Sequence, residues 1–159
     1  MKFVERKTIL STCRQYRYCL WRDWDMTNSS HAMFVGLNPS TADEVEDDPT
    51  IRRCVNYAKR WGYGALCMMN LFAYRATEPA MMKAQAKPVG ADNDRWLVEA
   101  AKDAGIIVAA WGAKGTHLQR DQAVRLLLAG RVSCLGKTKD GHPKHPLYVK
   151  ADVKPCSYA

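Results

Sequence analysis

The chain is 159 residues long, with 47% apolar and 25% charged residues, the size and balance of one globular domain rather than of a disordered or fibrous polymer. Its net charge of +8 favours a polyanionic partner. No stretch approaches the ~20 apolar residues of a membrane-spanning helix, and Met1-Lys2-Phe3-Val4-Glu5-Arg6-Lys7 lacks the apolar core of a signal peptide, so a cytosolic location is expected.

Residues 1–11 read as a polar lead-in. Residues 16–24 partly alternate and are rich in aromatics (Tyr16, Tyr18, Trp21, Trp24), which predicts an exposed or edge strand. Residues 32–37 form a short unbroken apolar run, the pattern of a strand buried on both faces. Asp48-Pro49 places an acid at a helix cap and proline at the first helical position; the helix runs towards Trp61 and stops at Gly62. Residues 65–69 repeat the buried-strand pattern, and residues 76–91, with Pro79 and Pro88, predict a short helix and a loop. A further helix follows Asp92 and ends near Gly105. Residues 106–111 are the clearest buried strand and residues 131–136 a weaker one. Between them, Thr116-His117-Leu118-Gln119 has the form of a capping box, opening a helix that buries Leu118, Val124, Leu127 and Leu128. Residues 150–159 read as a tail.

Buried strands separated by helices predict an α/β fold of three layers, α/β/α, around a central, mainly parallel four-stranded sheet, in one domain spanning residues 1–159. In such sheets ligands bind beyond the carboxyl ends of the strands. Each of the four strands delivers a polar, turn-forming cluster to that edge: Gly36-Leu37-Asn38-Pro39-Ser40, Asn70-Leu71-Phe72, Trp111-Gly112-Ala113-Lys114, and the segment from Gly136 to Tyr148 with His142 and His145. Each cluster alone is also ordinary turn or core chemistry; four of them on one edge point to a site. The six cysteines, Cys13, Cys19, Cys54, Cys67, Cys134 and Cys156, include no Cys-x-x-Cys pair and are expected as free thiols. Cys134, His142, His145 and Cys156 can be drawn as a zinc set, but their spacing matches no common finger or ribbon, so neither metal nor cofactor is expected.

These loops resemble the uracil-DNA glycosylase superfamily. Gly36-Leu37-Asn38-Pro39-Ser40 resembles its first motif, a loop that holds the attacking water, in the asparagine form of the mismatch-specific branch. Met69-Asn70-Leu71 resembles its base-reading asparagine, and Trp111-Gly112 the turn that opens a later helix. His142-Pro143-Lys144-His145-Pro146-Leu147 resembles its second motif, which supplies a histidine to the base and inserts a residue into the duplex; an extra residue leaves either His142 or His145 in the histidine role. The resemblance covers about residues 32–149. The whole chain is more closely similar to a bacterial and phage family of unknown function related to that superfamily, through stretches such as Asn38-Pro39-Ser40-Thr41-Ala42-Asp43 and Asp48-Pro49-Thr50-Ile51-Arg52-Arg53.

The resemblance implies hydrolysis of an N-glycosidic bond. His145, or else His142, would stabilise the departing base, and Asn38 would orient water through its amide oxygen. Asp43 or Asp48 would add base character, which an amide lacks. Asn70 would meet the base edge, Phe72 would stack on it, and Gly36, Pro39, Ser40 and Trp111 would complete the pocket. Arg52, Arg53, Lys114, Lys137, Lys139 and Lys144 would contact phosphates, with DNA, duplex or single-stranded, as the partner. Two alternatives stand beside this reading: a non-catalytic binder of nucleic acid or nucleotides, and a hydrolase of free nucleosides or nucleotides.

Overall fold

In the computed structural model, which describes residues 5–43 and 45–158, the continuous apolar run after Ser30 becomes β3 (His31–Gly36), buried along its whole length. On one side it pairs in parallel with β4 (Ala65–Asn70) and on the other with β5 (Ala104–Ala109), which in turn pairs in parallel with the short β6 (Ser133–Cys134). These four strands correspond to the four read from the sequence, but they are only the middle of the sheet. Among the described residues it has seven strands in the order β1-β2-β4-β3-β5-β6-β7 and is mixed, not a four-stranded parallel sheet.

The added strands are antiparallel. β1 (Glu5–Leu10) lies within the expected lead-in, of which residues 1–4 fall outside the described residues. It pairs with β2 (Arg17–Asp23), which pairs with β4. The expected edge strand at 16–24 is therefore interior, with Tyr18, Cys19 and Leu20 buried. Its alternation is imperfect because both of its faces are covered. At the other edge β7 (Cys156–Ser157), in the expected tail, pairs with β6.

Apolar side chains alternate between the two faces. Leu66 and Met68 of β4 pack towards α1 (Pro49–Arg60), whereas Cys67 and Met69 join the core under α3 (Asn93–Lys102) and α4 (Arg120–Leu127). The short α2 (Pro79–Lys83) adds Met82 to this second core. Helix α1 begins where Asp48 Oδ1 accepts from Ile51 N at 2.9 Å, with Pro49 in the first turn, and it is followed by Gly62 at φ +89°. Its Ile51, Cys54, Val55 and Ala58 are buried at helical spacing, each large aliphatic contributing ~1.5–3 kcal/mol.

The capping box at Thr116 does not form. Leu118 and Gln119 take left-handed backbone angles (φ 54° and 53°), which break the helical path, so residues 113–119 make a kinked 3-10 segment and α4 starts at Arg120. Of the face expected to be buried, Val124 and Leu128 are buried while Leu118 and Leu127 are exposed.

Candidate functional site

The carboxyl ends of β3, β4 and β5 open, on the α1 side of the sheet, into a cavity of about 500 Å³. Gly36, Met68, Asn70 and Ala110 line its strand side. Its walls come from the loop after β3, the first turn of α1, residues 76–79, residues 113–114, and the segment bearing His145.

Gly36 and Asn70 are register partners at the ends of their strands. A Cβ at Gly36 would lie 2.9 Å from Asn70 Oδ1 and 3.0 Å from Met68 Cε, so only glycine leaves this part of the floor open. Asn70 is 2% exposed. Its Nδ2 is buried without a hydrogen-bond partner, although the residue lines the cavity. Asn93, at the start of α3, holds its backbone by donating from Nδ2 to Asn70 O at 3.0 Å and Leu71 O at 3.1 Å. Arg120 adds a bond from Nε to Leu71 O at 2.8 Å.

Asn38 is half-buried and spans two loops: its Nδ2 donates to Pro39 O at 3.1 Å and Ala76 O at 2.9 Å. Both amide hydrogens are thereby engaged, which leaves Oδ1 as the group it can offer a ligand. Pro39 and Ser40 line the cavity beside it, and so does Asp48, whose carboxylate caps α1.

His145 sits at the start of a 3-10 turn over Pro146–Tyr148, and its Nδ1 accepts from Leu147 N at 3.2 Å. Burial holds the imidazole below its ordinary pKa, against an opposing pull from Asp48. The ring is therefore neutral near pH 7, with its proton on Nε2. Helix α1 places this segment. Tyr57 Oη lies 3.0 Å from Val149 O and 3.2 Å from Pro146 O, and Arg53 donates from Nη2 to Val149 O at 2.5 Å. Beyond His145, Leu147 is 45% and Tyr148 84% exposed, and both line the cavity.

Of the residues nominated from the sequence, Gly36, Asn38, Pro39, Ser40, Asn70, Trp111, Lys114 and His145 line this one cavity. Trp111 is buried with its Nε1 unpartnered, packed so closely on Gly115 that a Cβ there would fall 2.3 Å from Trp111 Cδ1. Phe72 does not line it. It lies fully buried in the opposite core, its ring 5.5 Å from that of His117, so stacking on a ligand in this cavity is corrected. His142 does not line it either; its backbone closes a tight turn with Thr138, where Thr138 N donates to His142 O at 2.7 Å. Asp43 turns its own loop instead, accepting from Val45 N and Glu46 N at 2.8 Å each, bonds that hold its carboxyl below the usual range.

Among the basic residues, Lys114 is at the mouth, whereas Arg52, Arg53, Lys137, Lys139 and Lys144 are not among the lining residues. Arg53 is engaged with Tyr57 and Val149, and Lys137 Nζ lies 5.8 Å from the Tyr158 ring centre. Cys134 and Cys156 meet across β6 and β7, but among the described residues no three His, Cys, Asp or Glu side chains converge, so the four-residue zinc set is not assembled.

One charged cavity residue was missed. Arg17, in β2, is 2% exposed and lines the cavity, with Nη1 donating to Ala42 O at 3.0 Å. Its position in a strand read as exposed concealed it; an arginine inside an otherwise aromatic and apolar run was the available signal.

A model of the family described as "Protein of unknown function (DUF1643)" matches residues 17–147. No curated protein and no solved structure matches the chain.

Proposed function

The chain belongs to the DUF1643 family, and from that premise we propose that its cavity is the active site of a hydrolase that cleaves the N-glycosidic bond of a damaged or modified base in DNA. A uracil-DNA glycosylase-like arrangement of the four parallel strands is part of the same proposal. The observation that carries it is the meeting of Asn38, Asn70 and His145, from three separate segments, around one cavity of about 500 Å³ that Asp48 also lines.

Breaking the bond from C1′ to the base nitrogen leaves positive charge on the sugar and negative charge on the base. The Nε2–H of a neutral His145 donates to the departing base and stabilises its charge; a donor of this kind is typically worth ~3–4 kcal/mol. Asn38 Oδ1 accepts a hydrogen bond from the attacking water, and the Asp48 carboxylate takes its proton. The hydroxyl adds to C1′ while the base leaves as an anion hydrogen-bonded to His145; the proton that Asp48 took from the water then passes to the base and restores the carboxylate, so atoms and charge balance. Asn70 presents its amide to the base edge. Leu147, exposed beside His145, occupies the space that the extruded nucleotide vacates, and the +8 charge supplies salt-dependent attraction to phosphates.

The test is incision. Oligonucleotides carrying uracil, hypoxanthine, hydroxymethylated or glycosylated bases are incubated with the protein and then treated with alkali. Strand breaks with at least one of them, lost in Asn70→Ala, are expected. Salt-sensitive binding with no breaks on any substrate would instead favour a non-catalytic binder. One observation favours that second reading: both Asn38 amide hydrogens are spent on backbone carbonyls, as in a turn-forming asparagine.

A further inference from the structure

Arg17, Arg22 and Arg120 are buried. Arg22 donates from Nε to Asp47 at 2.9 Å, and Arg120 from Nη2 to Asp94 at 2.5 Å. Arg17 differs from both: among the described residues no carboxylate lies within ion-pair distance of it, and its Nε is buried with no partner. Of the three it alone lines the cavity. Burial pushes its pKa down to about 10, with Asp48 pulling the other way from beyond ion-pair range, so the guanidinium is still charged at neutral pH. A buried cation without a counter-ion is among the least favourable arrangements in a fold, whereas removing hydration from a charge that will meet an anion prepares it for a strong bond.

The surroundings suit an anion. Asn70 Nδ2 is a second buried donor without a partner on a cavity residue, Lys114 stands at the mouth, and Pro49, Thr50 and Ile51 turn the N-terminus of a twelve-residue helix towards the space. Among the described residues, the one carboxylate lining the cavity, Asp48, has Oδ1 engaged in the helix cap. The cavity volume of about 500 Å³ falls in the ~300–1,000 Å³ range of small-molecule sites and exceeds what a nucleobase alone fills.

We propose that Arg17 is the phosphate-recognition residue of this cavity, which takes up a whole phosphorylated nucleoside rather than a base alone. The proposal rests on reading the cavity as a nucleobase site and specifies what else enters with the base. Arg17 donates from Nε to a phosphate oxygen while Nη1 keeps Ala42 O, and the anion supplies the counter-charge that the protein withholds.

Calorimetric titration of the wild-type protein with the common deoxynucleosides and their 5′-monophosphates tests this. At least one monophosphate is expected to bind about tenfold or more tightly than its nucleoside, and Arg17→Lys, which keeps the charge but loses Nε, is expected to lose that margin. Should the variant fail to fold, the wild-type protein still decides the matter: the Arg17 Nε–H nuclear resonance is expected to move on adding the tighter monophosphate and to stay put with its nucleoside. Monophosphates that bind no better than nucleosides, or not at all, overturn the proposal, as does an unchanged margin in Arg17→Lys or an unmoved resonance. The two readings fail separately. Phosphate-dependent binding without excision of any base keeps the role of Arg17 and removes the hydrolase; excision with no preference for phosphate does the reverse.

Discussion

Asn93 Nδ2 and the carbonyl oxygen of Asn70 lie 3.0 Å apart, so the first residue of α3 holds the last residue of β4 from the opposite face of the sheet. Asn70 can then present its side chain towards the cavity from a backbone that is fixed. Asn93→Ala leaves the buried Asn70 carbonyl without this donor, while Leu71 O retains Arg120. A loss of about 1–3 kcal/mol is expected in urea unfolding. A variant as stable as the wild type would show that the bond is dispensable.

The two cavity asparagines are expected to differ in their effect on stability. Asn38→Ala removes one hydrogen bond within the 38–39 turn, to Pro39 O, and one that joins the turn to Ala76 O, and a loss of ~1–2 kcal/mol is expected. The Asn70 amide nitrogen has no protein partner, so Asn70→Ala is expected to stay within ~1 kcal/mol of the wild type while abolishing ligand binding or excision. Parallel melts and incision assays compare them; a larger loss for Asn70→Ala would mark it as structural.

Gly36→Ala probes the floor. The new methyl group, 2.9 Å from Asn70 Oδ1, displaces that side chain, at a cost of roughly 1–3 kcal/mol. Binding is expected to fall by more than the loss of stability explains. An unchanged ligand affinity would show that Asn70 does not need its present position.

Burial lowers the pKa of both His145 and His31 from the ordinary value of 6.5, the latter despite donating from Nε2 to Ala100 O at 3.2 Å. Between the folded pKa and 6.5 the unfolded chain binds more protons, so stability is full above pH 6.5 and declines as the pH falls below it. Urea midpoints between pH 7.5 and 5 are expected to show this slope, reduced in His145→Gln. Midpoints that hold steady or rise on acidification would contradict it.

Cys134 and Cys156 are register partners on β6 and β7, with sulfurs 3.7 Å apart. Cys156 is exposed, whereas Cys54 and Cys67 are buried thiols whose pKa values burial drives up. Glutathione disulfide is expected to link this pair as the first bridge between two cysteines of the chain, two thiols giving one disulfide and two molecules of glutathione, while exposed Cys13, whose thiol the Ser11 hydrogen bond holds below its ordinary pKa, takes up glutathione alone. Peptide mapping by mass spectrometry reads the linkages; a first bridge between any other two cysteines of the chain would refute the order.

What could be read directly from the chain was whatever rests on local pattern. The unbroken apolar runs at 32–37, 65–69 and 106–111 have the pattern of strands covered on both faces, and most of each run forms one, while Asp48-Pro49 starts a helix through its own geometry. The same runs mark where strands end, so Gly36, Asn38, Asn70, Trp111 and His145 could be nominated for one edge. Tertiary structure decided the rest. β1 covers β2 through pairing between residues 5–10 and 17–23, and no local signal tells an edge strand from one whose neighbour arrives from the N-terminus. Phe72 and Asn70 are two residues apart, yet Phe72 packs in one core while Asn70 lines the cavity on the other face. Which of His142 and His145 reaches the cavity depends on the grip of Tyr57 and Arg53 on residues 146–150. Arg17 is buried at the cavity wall with no carboxylate of the described residues within ion-pair distance, a placement that only the folded chain creates. Sequence patterns report the preference of each segment for burial, whereas partnership between distant side chains is settled only when the whole chain has closed around them.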